Sequence, residues 1–107
     1  MRELEAETRR DVERIFEEKR RRLGVEARLD LHVELIEAPP IVGENVYGEA
    51  FPFEKPPKVH IDVFAFDATT REITRTVCEE LLHIKHPELS EEAIKRLVPA
   101  CVGRLGG

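Results

Sequence analysis

Residues 69–87 read TTREITRTVCEELLHIKHP, and this stretch decides the fold because it sets a helical hydrophobic period after three strand-like runs. Thr69 followed by Glu72 fits a capping box, which is a signature of a helix N-terminus. The apolar positions recur at helical spacing at Ile73, Val77, Leu81 and Ile84. Pro87 cannot continue a helix, so the pattern predicts a helix that begins after Thr69 and ends before Pro87.

Outward from this helix, the chain changes between helical and strand patterns. Residues 1–23 carry apolar positions at helical spacing, and Gly24 is suited to end that helix. Apolar and polar residues alternate in three runs, which predict strands at 28–35, 45–51 and 58–64. Ser90 opens a last helix, which we expect Pro99 to kink or to end early.

The order of elements predicts a single α+β domain over residues 1–107. Its parts are an N-terminal helix, a small three-stranded and mainly antiparallel sheet, and two further helices. The antiparallel arrangement is expected because loops of a few residues cannot make the crossover that parallel strands need. The length is enough to bury one modest core.

Composition restricts the classes of function. The net charge of −5 argues against broad electrostatic binding to nucleic acid, although charged residues make up 36 % of the chain. The basic run 19–22 is interpreted as a solvated helix end whose cations face the negative end of the helix dipole. No apolar run approaches the roughly 20 residues that span a bilayer. We therefore expect a cytoplasmic protein with a thermophile-like surface and no membrane contact.

The cysteines, Cys78 and Cys101, are too few for a disulfide framework and too far apart in sequence for a zinc ribbon. Each has apolar neighbours near a helix stripe. We expect two buried free thiols, with a bridge between them as the alternative.

Three ionisable side chains lie along one edge of the buried face of the helix in residues 69–87. At 100° per residue, Glu80 and His83 fall next to the apolar stripe, and Glu79 is one turn from His83. Two ligands at i and i+4 with a carboxylate at i+1 form the pattern of a helical metal site, in which that carboxylate acts on water. The pattern predicts Glu79 and His83 as metal ligands and Glu80 as a general base.

Other interpretations of these residues remain open. Glu79 and Glu80 can be ordinary solvated residues of a helix. His86 lies one turn beyond His83, so Glu79, His83 and His86 form a rival metal cluster. His60 is expected on the polar face of its strand, where it is exposed unless the third strand flanks the cleft.

The string ELLHIKHP at 80–87, together with LSEE at 89–92, resembles the archaeal minigluzincins, which are small single-domain relatives of membrane-integral gluzincin peptidases. The specific likeness covers about a quarter of the chain. It implies an active-site helix followed by a short glutamate helix, a zinc cofactor, and a peptide or an unfolded protein as substrate. His83 would be the second zinc histidine and Glu80 the general base. The third ligand would come from the last helix, with Glu91 preferred over Glu88 and Glu92.

The motif departs from that family at its first position, where Glu79 replaces a histidine so that HExxH becomes EELLH. An extra anion lowers the positive charge at a metal and its power to acidify water. We therefore expect a zinc-metallopeptidase-like domain with weak or absent metal binding and activity. The alternatives are a non-catalytic scaffold that binds a peptide or partner chain, and a site that stores or senses metal. A monomer is expected.

Overall fold

The computed structural model of the protein describes residues 2–37 and 43–103. The elements are α1 (Arg2–Leu23), β1 (Arg28–Val33), β2 (Val46–Phe51), β3 (Lys58–Val63), α2 (Thr70–Lys85) and α3 (Glu91–Val102). The predicted α+β fold and the order of its elements are confirmed. Within the described residues, no helix combines the length and the apolar character needed to cross a membrane.

The sheet is mixed, with strand order β1-β3-β2. The pairing of β2 with β3 is antiparallel, as their short connection predicts. The pairing of β1 with β3 is parallel, so the expectation of antiparallel pairing is wrong for β1. The rule about short loops failed because β1 does not pair with its neighbour in sequence. Residues 34–57, which include β2, separate β1 from β3 and are long enough for a parallel connection.

One main core joins α1, the sheet and α2. Its fully buried members are aliphatic residues of α1, β3 and α2, namely Val12, Val59, Ile61, Val63, Val77 and Leu81. A second and smaller core lies between α2 and α3 and consists of Cys78, Leu82, Ile94, Val98 and Cys101. Helix α2 therefore has two buried sides, and its remaining edge carries the polar residues of the motif.

The two cysteines form a disulfide within the smaller core, with their Cα atoms 5.9 Å apart. The expectation of free thiols is wrong. Sequence periodicity placed each cysteine on a buried stripe but did not show that the two stripes face each other. A short turn between α2 and α3 makes them antiparallel neighbours, which brings Cys78 opposite Cys101.

The ends of the helices agree in part with the sequence. Gly24 has a φ of 68° directly after α1, as a C-terminal cap requires. Lys19 is not solvated, since it is only 5 % exposed and its Nζ donates to the carbonyl oxygens of Cys101 and Val102. Helix α3 also continues past Pro99 to Val102. The expected early end is wrong because Pro99 lies on the exposed side, where water can bond to the carbonyl left without a donor.

Candidate metal centre

Helix α2 sets the positions of Glu79, Glu80 and His83. The predicted capping box is present, since the Thr69 side chain accepts from the Glu72 backbone and the Glu72 carboxylate accepts from Thr69 in return. This cap fixes where α2 begins, and the main core fixes its rotation. The polar edge of the helix therefore faces β2 and the start of α3.

Helix α3 brings Glu91 to this edge. Ser90 caps the helix by accepting from the Ala93 backbone, so Glu91 stands in the first turn. Its Oε1 lies 3.0 Å from Nε2 of His83. One ligand atom from each of Glu79, His83 and Glu91 lies within 4.8 Å of the other two. The three residues predicted as ligands are thus together, and the choice of Glu91 on α3 agrees with this geometry.

The other ligand candidates are elsewhere. Glu88 contacts His86 at 3.8 Å, and Glu92 contacts Arg96 at 3.7 Å along α3. Neither these carboxylates nor His86 is in a three-residue metal-type group anywhere in residues 2–37 and 43–103. The rival cluster of Glu79, His83 and His86 is therefore not formed.

His60 does not line the cleft. Its Nδ1 lies 2.9 Å from Asp30 on β1, and its Nε2 lies 2.9 Å from Asp62 on β3. Burial of the ring lowers the pKa of His60, but the hydrogen bonds and charges of the two carboxylates outweigh it, so the pKa is raised. His60 therefore has a structural role on the sheet face.

Strand β2 approaches α2 closely at Gly48, which the sequence analysis did not recognise as part of the site. A Cβ atom at Gly48 would lie 2.7 Å from Cγ of Glu80 and 2.7 Å from Cγ2 of Thr76. A glycine inside a strand pattern often marks such an approach, and that was the available signal. The missing side chain allows the carboxylate of Glu80 to lie between the helix and the strand.

A cavity of about 440 Å³ opens beside the three ligand candidates. Its walls come from β2 and from the polar edges of the helices, and they include Tyr47, Gly48, Glu49, Glu79, Glu80, His83 and Glu91. Four of these side chains are carboxylates and one is an imidazole. A cavity with this balance of charge is suited to a cation.

Glu80 is the buried acid of the site, with 9 % of its surface exposed. Burial, followed by the charges of Glu79, Glu91 and Glu49, raises the pKa of Glu80 to about 8. Its carboxyl group has no hydrogen-bond partner within the described residues. No polar side-chain atom there is both fully buried and unpaired, so the oxygen atoms of Glu80 reach the cavity. A cation in the cavity would favour the ionised form.

The donor set of Glu79, His83 and Glu91 fits zinc. Zinc in proteins takes imidazole nitrogen and carboxylate oxygen at about 2.1 Å, which places tetrahedral ligand atoms roughly 3.4 Å from each other. The three donor atoms, all within 4.8 Å of one another, are separated by at most about 1.4 Å more than that spacing. Three protein ligands also leave a fourth position for water or substrate, as catalytic zinc sites do.

Comparison with known proteins adds no assignment, since no protein-family model, curated protein or solved structure matches this chain.

Proposed function

We propose that this chain is a zinc-metallopeptidase-type domain in which Glu79 takes the place of the first histidine ligand, beside His83 and Glu91. The observation that supports this most directly is the convergence of these three donors beside Glu80, a largely buried residue whose carboxyl oxygens reach the same cavity. The resemblance of residues 80–92 to archaeal minigluzincins agrees with the same assignment. The geometry supports a metal site, whereas the further step to peptide hydrolysis rests on that resemblance.

Each residue has a role in peptide hydrolysis under this proposal. Glu79, His83 and Glu91 would hold the ion, which would supply positive charge to polarise a carbonyl group and lower the pKa of water. Glu80 accepts a proton from water in the cavity and transfers it to the leaving amine. Because Glu80 is protonated near neutral pH without a cation, its action as a base depends on positive charge nearby.

Strand β2 provides a place for the substrate. Within the described residues β2 pairs only with β3, so its other edge has unpaired backbone groups beside the cavity. An extended peptide can add to such an edge through main-chain hydrogen bonds, with little dependence on its sequence. This arrangement suits a peptide or an unfolded protein as substrate.

Zinc titration of the purified chain tests the proposal. We expect one zinc per chain, loss of binding in His83→Ala, and an affinity at least about 10-fold lower in Glu91→Gln. Glu92→Gln is the matched control, since Glu92 is on the same turn but outside the cluster, and its affinity should not change. Glu79→His should bind zinc more tightly. Zinc binding that is unaffected by His83→Ala would contradict the proposed site.

Cleavage of an unfolded protein tests the catalytic part separately. We expect slow, zinc-dependent cleavage that is lost in Glu80→Gln while zinc remains bound.

The second candidate function is a non-catalytic peptide-binding scaffold, which the open edge of β2 favours. It predicts peptide binding that persists in His83→Ala and without zinc, and no cleavage in any variant.

A further inference from the structure

The interface between α2 and α3 is small, and the disulfide is a large part of it. Of the described elements, α2 is the only one against which α3 packs extensively. Five buried residues form this interface, and two of them are the bridged cysteines. The aliphatic side chains that α3 buries there are only Ile94 and Val98. Besides the bridge, α3 is held by these side chains, by the partly buried Leu23, Leu89 and Val102, and by the hydrogen bonds that Lys19 donates to its last carbonyls. The bridge is the covalent link between the two helices at this end of α3.

The bridge and the metal-type cluster are arranged on the same two helices. Cys78 directly precedes Glu79 on α2, whereas Cys101 is ten residues after Glu91 on α3. At 1.5 Å per residue, Glu91 lies about 15 Å along α3 from the bridge. Over this length a change of about 10° in the direction of α3 displaces one end of the helix relative to the other by roughly 2.6 Å, and even a fraction of that movement at Glu91 exceeds the tolerance of a metal–ligand bond.

The three ligand candidates respond differently to such a tilt. Glu79 and His83 are one turn apart on α2, whose rotation is fixed by the main core. Glu91 is on α3, and its contact with His83 is largely exposed, with 68 % of the Glu91 side chain accessible. An exposed ion pair contributes little to holding a helix in place. Glu91 is therefore the ligand whose position depends on α3.

The disulfide can be reached from the side of α2 opposite the cluster. Cys101 lines a cavity of about 370 Å³ whose other walls include Leu82, Leu97 and Ala100. Arg22 and Lys85 lie in the same cavity and would favour an incoming thiolate. Cys78 is fully buried, whereas Cys101 is 8 % exposed, so attack would occur at the sulfur of Cys101.

We propose that the Cys78–Cys101 disulfide positions Glu91 for metal binding, and that its reduction by a dithiol weakens the metal site by releasing α3. This inference rests on the metal site proposed above. In the reduction the sulfur–sulfur bond breaks, and Cys78 and Cys101 become thiols by taking up two electrons and two protons. The dithiol supplies both and closes its own disulfide. Cys78 and Cys101 are positioning residues, since neither contacts the cavity of the cluster.

The test is a cycle of zinc affinities measured with and without the bridge. In the parent chain, the double substitution Cys78→Ala and Cys101→Ala should raise the zinc dissociation constant about 10- to 100-fold, the range seen for residues that orient metal ligands. In a Glu91→Gln background the same double substitution should have little further effect. The Glu79→Gln background is the matched control on α2. In that background the double cysteine substitution should raise the zinc dissociation constant by the same roughly 10- to 100-fold as in the parent chain.

Reduction and reoxidation of the parent chain test the same inference without substitutions that could cause misfolding. The parent chain is reduced with a phosphine, freed of reagent without oxygen, titrated with zinc, then reoxidised and titrated again. We expect weaker binding after reduction and recovery after reoxidation. Equal affinities in the two states would overturn the inference. So would a loss of the same size in the parent and in the Glu91→Gln background, because the bridge would then act on stability alone.

Amide hydrogen exchange separates this inference from the proposed function. Reduction should speed exchange in α3 and leave the central strand β3 unchanged. If no form of the chain binds zinc, the metal proposal fails, and exchange still tests whether the bridge positions α3. Unchanged exchange in α3 would overturn the inference in that case too.

Discussion

The two buried sides of α2 are built differently. Towards the sheet, α2 contributes Ile73, Val77 and Leu81 to a core that also includes α1 and all three strands. Towards α3, it meets a few side chains and a covalent bridge. Two of the proposed ligands are on α2, whose rotation the well-packed side fixes, and one is on α3, which the smaller core holds. A site can therefore be fixed in one part and adjustable in another.

A truncation in the main core should change the free energy of unfolding most. Leu81→Ala should lower the free energy of unfolding by about 3 kcal/mol, because Leu81 is fully buried in the main core. Urea denaturation measures this loss. Ile94→Ala, a matched truncation in the smaller core, should cost less and should speed amide exchange mainly in α3. Equal acceleration of exchange in β3 and α3 by Ile94→Ala would contradict the division into two cores.

The second change in stability depends on pH and comes from Glu80, the buried acid of the site. The folded-state pKa of Glu80 is about 8, well above its ordinary value of 4.5. Between these values the folded chain binds a proton that the unfolded chain does not, so stability falls as pH rises through this window. Glu80→Gln should remove the decline, for a relative gain of about 3 kcal/mol from pH 5 to pH 8.5 without metal.

The control for this comparison is Glu92→Gln, which removes an exposed charge on α3. Its stability should follow the pH dependence of the parent chain. A parallel shift of both variants would indicate a general charge effect and would count against a special role for the burial of Glu80.

The smallest expected change in stability comes from His60 on the sheet face. The raised pKa of His60 means that its pairing with Asp30 and Asp62 stabilises the fold below the ordinary histidine pKa of 6.5 and is lost as pH rises through the folded value. His60→Gln should therefore lower stability near pH 5.5 by at most about 1 kcal/mol, the range of exposed ion pairs, and by less at a pH above the folded value. Urea denaturation at both pH values checks this, and a constant cost would contradict the ionic interpretation.

The elements of the fold could be predicted because their signals are local. The capping residues Thr69 and Ser90 and the cap Gly24 mark helix ends through contacts within a few residues. The parallel pairing of β1 with β3 could not be predicted by the same reasoning, because it joins strands that are far apart in sequence. The burial of Lys19 was missed for a similar reason, since its partners are on α3.

The site was predictable along one helix and less so across elements. Helical periodicity alone placed Glu79, Glu80 and His83 on one edge. Glu91 was chosen through a family resemblance, and only the packing of α3 brings it within reach of His83. The disulfide was only the alternative to the expected free thiols, and the contribution of β2 was not predicted, because both depend on how separate elements face each other.

Gly48 has a consequence for how sites of this kind should be searched for. Any other residue there would place an atom 2.7 Å from Glu80, so the absence of a side chain is as much a requirement of the cavity as the charged residues are. A search pattern restricted to the helix would retrieve many charged helices that have no room for a ligand. A pattern that pairs the helical Glu-Glu-x-x-His string with a glycine in a preceding strand would select for the space as well as the chemistry.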